Sequence, residues 1–195
     1  NGQLYKANFF EFHRDEDVIK LADDPDYDQT KFEEKLEIKG DNDHTKLIAM
    51  LNALNDYSVP MSDILGKYFD TENLAYWMAF QLLTGNSDTQ SRNMYLYSPT
   101  NSDTFYVLDW DNDGMLMRKE CDIKQRSDGK SWENGISNYW GNMLFSRCLQ
   151  TKSFRTVLDK AIKDEYKYMN SNRINSMVKH YRSITEQYVW KMPDS

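Results

Sequence analysis

The sequence is poor in the side chains that build zinc sites and disulfide frameworks. Two cysteines, Cys121 and Cys148, and three histidines, His13, His44 and His180, are spread over 195 residues. That spacing gives no support to a Cys/His zinc site. The two cysteines fit one bridge or two free thiols equally well. No apolar run approaches the roughly 20 residues needed to cross a bilayer, so no membrane span is expected. The opening Asn1-Gly2-Gln3 carries neither an initiator Met nor a signal-peptide pattern, and the chain reads as a piece of a longer or processed protein. A basic stripe is missing as well: the net charge is −7 and Lys and Arg are scattered among acids, which argues against nucleic acid as a partner. Internal repeats and low-complexity tracts are absent.

Aromatic residues are plentiful. A hydrophobic fraction of 39% is low, but 13 Tyr, 9 Phe and 5 Trp supply large buried area per residue, so a packed core is expected. The length suits one domain or one lobe of a larger one, its oligomeric state open.

Along the chain, the first 27 residues read as an extended lead-in, a short helix at Glu16 to Leu21 and an acidic turn at Asp23-Asp24-Pro25-Asp26. Phe32, Leu36 and Ile38 suggest a short strand closed by Gly40. Asp43 is placed to cap a helix carrying Leu47, Ile48, Leu51 and Leu54 at helical spacing. A second helix follows Pro60 through Ile64 and Tyr68. Asp70 caps a third, with Leu74, Trp77, Met78 and Leu82 on its core face and Gly85 at its stop.

Beyond Gly85 the pattern changes. A polar loop, Asn86 to Arg92, precedes the alternating Asn93-Met94-Tyr95-Leu96-Tyr97. The turn cluster Ser98-Pro99-Thr100-Asn101-Ser102 and a second strand, Thr104 to Leu108, complete a predicted β-hairpin with acids at its end. Helices return at about Asn138 to Leu149, around Phe154, Val157, Leu158 and Ala161, and over Ile174, Met177, Val178, Tyr181, Ile184 and Tyr188. The expected class is α+β and mostly helical.

Phosphoryl transfer needs a carboxylate to accept the attacking hydroxyl's proton, and an amide and a carboxylate to hold Mg²⁺ against the phosphates. Asp88 and Asn93 have the spacing of the Asp and Asn in the H-R-D-x-x-x-x-N loop of protein kinases. Asp111 follows the hairpin, where such kinases place a metal-binding aspartate. A tight hairpin folds the end of its second strand back beside the loop before its first, so Asp88, Asn93 and Asp111 can converge. The plainer alternative is that Asp88 bonds its own loop and Asn93 merely starts a strand.

A second pattern overlaps. Asp109-Trp110-Asp111-Asn112-Asp113-Gly114 with Glu120 matches the calcium loop D-x-[DN]-x-[DN]-G-x₅-E. The residues before Asp109 read as strand, which argues against an EF-hand, whose loop hangs between two helices. A strand-borne Ca²⁺ loop using Asp109, Asp111, Asp113 and Glu120, in a non-enzymatic interaction domain of a secreted or surface protein, stays open. So do a solvated acidic turn and a glycosidase pairing Asp88 with Asp111.

The runs Gly85-Asn86-Ser87-Asp88, Asn93-Met94-Tyr95-Leu96-Tyr97 and Val107-Leu108-Asp109-Trp110-Asp111-Asn112-Asp113 resemble the G-N-x-D, N-x-Y-L-Y and P-W-D-x-D signature of the CotH spore-coat kinase family. Gly2-Gln3-Leu4-Tyr5-Lys6 resembles its G-x-L-Y-K element, and Trp140, Leu144 and Phe154 fall where its C-terminal helices follow. The resemblance implies the C-terminal lobe of an atypical protein kinase, secreted or spore-coat-associated, using ATP and Mg²⁺ on Ser or Thr of a protein substrate. It implies Asp88 as catalytic base, Asn93 and Asp111 as metal ligands and Asp113 as a supporting acid. Asp109 departs from the family's Pro. The family's N-terminal half, with its phosphate-holding lysine, has no counterpart here, and Lys6 is too early in the chain to be claimed for that role. The fragment by itself is expected to be inactive.

Overall fold

The computed structural model describes residues 2–116, 139 and 141–189. Four strands form one antiparallel sheet in the order β2-β1-β3-β4, with β1 at Gly2–Ala7, β2 at Leu36–Ile38, β3 at Met94–Pro99 and β4 at Tyr106–Asp109. The lead-in expected to be merely extended is thus an inner strand. In β1 the alternation of half-buried and buried residues, with Gln3, Tyr5 and Ala7 inward, is that of a strand covered on one face.

Seven helices are described: α1 Gln29–Glu33, α2 Thr45–Asn55, α3 Met61–Tyr68, α4 Thr71–Thr84, α5 Met143–Gln150, α6 Lys152–Tyr168 and α7 Ser171–Val189. Asp70 caps α4 by accepting from Asn73 N, and Gly85 ends it in the left-handed region at φ 64°, where a Cβ would be strained. Leu74, Trp77 and Met78 are buried as expected, and α4 packs along α6 and against β4. The Trp77 ring stacks on Phe145 of α5, centroids 5.5 Å apart. Gln29–Glu33 and Leu36–Ile38 enclose Phe32, whose ring stacks on His44 at 4.1 Å.

Several expectations need correction. Glu16 to Leu21 forms only a turn, closed by bonds from the Val18 and Ile19 amides to Asp15 O. Phe32 belongs to a helix, because Asp28 accepts from the Thr30 and Lys31 amides and starts one there; the strand is confined to Leu36–Ile38. His44 occupies the cap position of α2, while Asp43 takes the Thr45 amide from one residue earlier. The second hairpin strand starts two residues later than expected and ends one later, because Phe105 bridges to Phe69 instead. Helix α5 starts at Met143, capped by Asn142; Asn138 and Trp140 lie outside the described residues. Cys148 is a free, fully buried thiol, and its burial pushes its pKa upward; Cys121 also lies outside the described residues.

A candidate phosphoryl-transfer site at the hairpin base

The loop after α4 is held from behind and open in front. A 3-10 turn at Ser87–Thr89 starts under the Asn86 side chain, which accepts from Asp88 N. Thr89 Oγ1 lies 3.1 Å from the Tyr139 hydroxyl, Asn142 Nδ2 donates to Gln90 O at 2.6 Å, and Phe10 N donates to Ser91 O at 2.7 Å. Asn86, Thr89, Tyr139 and Asn142 are buried. Three consecutive residues are therefore tied to two separate parts of the chain, Phe10 and the turn from Tyr139 to Asn142, while Asp88 and Asn93 on either side stay half-exposed. Such anchoring pre-organises side chains that must meet a substrate.

Asp88 and Asn93 meet directly: Asn93 Nδ2 donates to Asp88 Oδ2 at 3.0 Å. Asn93 takes the left-handed conformation at φ 59°, which Asn tolerates better than most residues, and β3 begins at the next position. The other Asp88 oxygen is taken by Arg92, whose Nε donates at 2.8 Å and whose Nη2 donates as well. The Arg92 guanidinium also lies 5.5 Å from the ring of Phe9, itself exposed. Arg92 escaped the sequence reading because an arginine in a polar loop has no distinguishing pattern; its i+4 spacing from Asp88 was the available signal.

The ribbon returns the acidic segment to this loop. Met94 pairs with Asp109 at the last rung of the β3–β4 ladder, so Asn93 and the residues after Asp109 leave the sheet at the same end. Asn86 Nδ2 donates to Asn112 Oδ1 at 3.2 Å, and Leu116 N donates to Thr84 O at 2.8 Å. A Cβ added to Gly114 would lie 3.0 Å from Asn86 Oδ1 and 3.5 Å from the Asp88 Cβ. Glycine is what permits this approach.

The acids of the segment differ in where they face. Asp109 turns toward α4: Oδ1 accepts from Gln81 Nε2 at 2.7 Å and Oδ2 from Asn112 Nδ2 at 2.9 Å. Asp111, at φ 52°, and Asp113 are exposed, and among the described residues no donor or cation is paired with either. Glu120 lies outside the described residues. Trp110 stands edge-on to Tyr95 with centroids 5.3 Å apart, and Lys6 Nζ is 5.4 Å from the Trp110 ring. The sheet thus brings Lys6, remote along the chain, to the edge of the acidic turn.

Among the described residues, no group of three His, Cys, Asp or Glu side chains is placed to hold a metal ion. One amide and exposed carboxylates instead suit a hard cation whose remaining ligands are phosphate oxygens and water, the usual environment of Mg²⁺ in nucleotide sites. The family model described as CotH kinase protein matches residues 1–195. This chain belongs to the CotH kinase family. A search of curated proteins returns no match. Membership implies phosphotransfer to protein, with ATP and a divalent metal. In this CotH kinase chain, no described helix is long and apolar enough to cross a membrane.

Proposed function

We propose that this chain carries the proton-accepting and metal-binding half of a protein kinase that phosphorylates Ser or Thr hydroxyls of a secreted or coat-associated protein substrate. The observation that carries the reading is the contact between the Asp88 carboxylate and the Asn93 amide, on a loop against which the Gly114 end of the acidic turn is packed. Mg-ATP supplies the transferable γ-phosphoryl group and the charge neutralisation that phosphoryl transfer needs.

Asp88 acts as base toward the acceptor hydroxyl, oriented on one oxygen by Asn93 and on the other by Arg92. Asn93 offers its amide oxygen to the metal because its nitrogen is committed to Asp88. Asp111 is the carboxylate ligand, and Asp113 adds negative charge beside it. Arg92 is a cation already standing at the base, suited to a phosphate oxygen when substrate arrives.

The test is phosphate transfer from labelled ATP to a Ser-rich protein acceptor by the full-length enzyme. Asp88→Asn should reduce the rate by about 10²–10⁴-fold, the usual worth of a positioned base, and Asp111→Asn should abolish Mg-dependent transfer. Undiminished labelling in either variant rejects the assignment. Tight Ca²⁺ binding that needs Asp113 and Glu120 and ignores ATP would favour the calcium-loop reading.

A further inference from the structure

The chain leaving β1 carries an aromatic ring where neither burial nor backbone favours one. Phe9 is 60% exposed and holds the left-handed conformation at φ 58°, a region that bulky side chains rarely enter. Phe12 is strained in the same way at φ 60°, but its ring is fully buried and its carbonyl accepts from Asn55 Nδ2 at 3.0 Å, so the core compensates. Burial offers Phe9 no such return. Its place is nevertheless fixed from both sides: Asn8 N donates to Lys35 O at 2.8 Å, and Phe10, buried against Phe12 with centroids 4.7 Å apart, donates from its backbone to Ser91 O. Phe10 follows Phe9 and Ser91 precedes Arg92, so that one bond sets Phe9 beside Arg92. The Arg92 guanidinium carbon lies 5.5 Å from the Phe9 ring centre, while Nε and Nη2 donate to Asp88 Oδ1.

A strained residue persists only where its surroundings impose it, and such residues cluster at functional sites. A turn alone would be served better by glycine, which takes this conformation without strain. What glycine lacks is the ring. We propose that Phe9 is a positioning residue, the face of its ring holding the Arg92 guanidinium at the base, ready for a phosphate oxygen. This rests on Asp88 being the base of a kinase. A ring suits the task better than a carboxylate, because it attracts the cation through its π face and takes none of the N–H donors. Those not given to Asp88 are left for phosphate. An acid at position 9 would instead compete with Asp88 for the guanidinium. Leucine would cover the arginine stem but has no quadrupole to attract its charge.

The full-length enzyme is assayed for phosphate transfer from labelled ATP to a Ser-rich protein acceptor, and unfolded in urea, as wild type, Phe9→Gly, Phe9→Leu and Phe9→Trp, each with Arg92 and with Arg92→Gln. Phe9→Gly should remain folded and lower kcat about 2–5-fold, the worth of a cation–π contact at an exposed site. The acceptor KM should not change, since the contact serves the transition state. Phe9→Leu should behave as Phe9→Gly, Phe9→Trp should restore the wild-type kcat, and none of the three should alter the rate of Arg92→Gln. Undiminished kcat in Phe9→Gly overturns the proposal. So does rescue by leucine, an equal loss in the Arg92→Gln background, or a loss confined to the acceptor KM, which would make Phe9 a docking contact. A wild type that transfers no phosphate rejects the kinase assignment instead, and the urea cycle of Phe9→Gly with Arg92→Gln then decides: coupling of about 2–5-fold in the unfolding constant upholds Phe9 as the residue that holds Arg92, and additive effects overturn it.

Discussion

Lowering the pH from 7 to 5 should weaken the fold through one buried histidine. His44 is fully buried, its ring stacked on Phe32 and its nitrogens bonded to two phenols: Nδ1 is 2.8 Å from the Tyr5 hydroxyl and Nε2 is 3.2 Å from that of Tyr27. Burial lowers its pKa from 6.5 to about 4, with Asp43 and Asp41 pulling weakly the other way. The unfolded chain therefore binds the proton first, and stability falls as the pH drops through 6.5 toward 4. With those two pKa values the linkage relation gives a loss of about 2 kcal/mol between pH 7 and pH 5. Glu165 works in the opposite direction, because an acid whose folded pKa is raised to about 7 takes up its proton in the native state first and gains stability over the same range. The wild-type profile alone can thus look flat. The remedy is a difference: His44→Gln can keep a donor and an acceptor near the two tyrosines but has no proton to bind. Urea unfolding at both pH values should show His44→Gln less stable than wild type at pH 7, having lost the ring stack, and recovering about 2 kcal/mol of that deficit at pH 5. A gap that stays constant with pH would refute the account of His44 as a neutral, desolvated ring.

Two further perturbations test the packing that serves the site. Arg147, nearly buried, donates to the carbonyls of Leu54, Asp56 and Val59, which close α2 and the turn after it. Arg147→Met should cost about 2–3 kcal/mol in denaturant unfolding by orphaning them, and an unchanged midpoint would mean water replaces the guanidinium without loss. Gly114→Val should leave the melting temperature within a few degrees yet sharply reduce phosphate transfer, because its side chain meets Asn86 Oδ1 and the Asp88 Cβ and pushes the acidic turn off the loop; full activity in this variant would show that the contact is dispensable.

Local chemistry in the sequence was enough to place the parts that depend on neighbours along the chain. Asp70 before α4, Gly85 after it, the existence of a hairpin and the Asp88 to Asn93 interval all express short-range rules of capping, chirality and alternation; the structure has the cap and the stop where those rules put them, and the hairpin with its strands shifted by one or two residues, to Met94–Pro99 and Tyr106–Asp109. The same rules misplaced Phe32, since its spacing to Leu36 and Ile38 fits a strand while the Asp28 cap starts a helix. Only the tertiary structure could make β1 an inner strand, set Tyr139 and Asn142 behind the loop, bring Lys6 to Trp110, and join Gln81 to Asp109. Those pairings link residues tens of positions apart, and what selects them is the shared burial of faces that no periodicity in one segment can match to its partner in another.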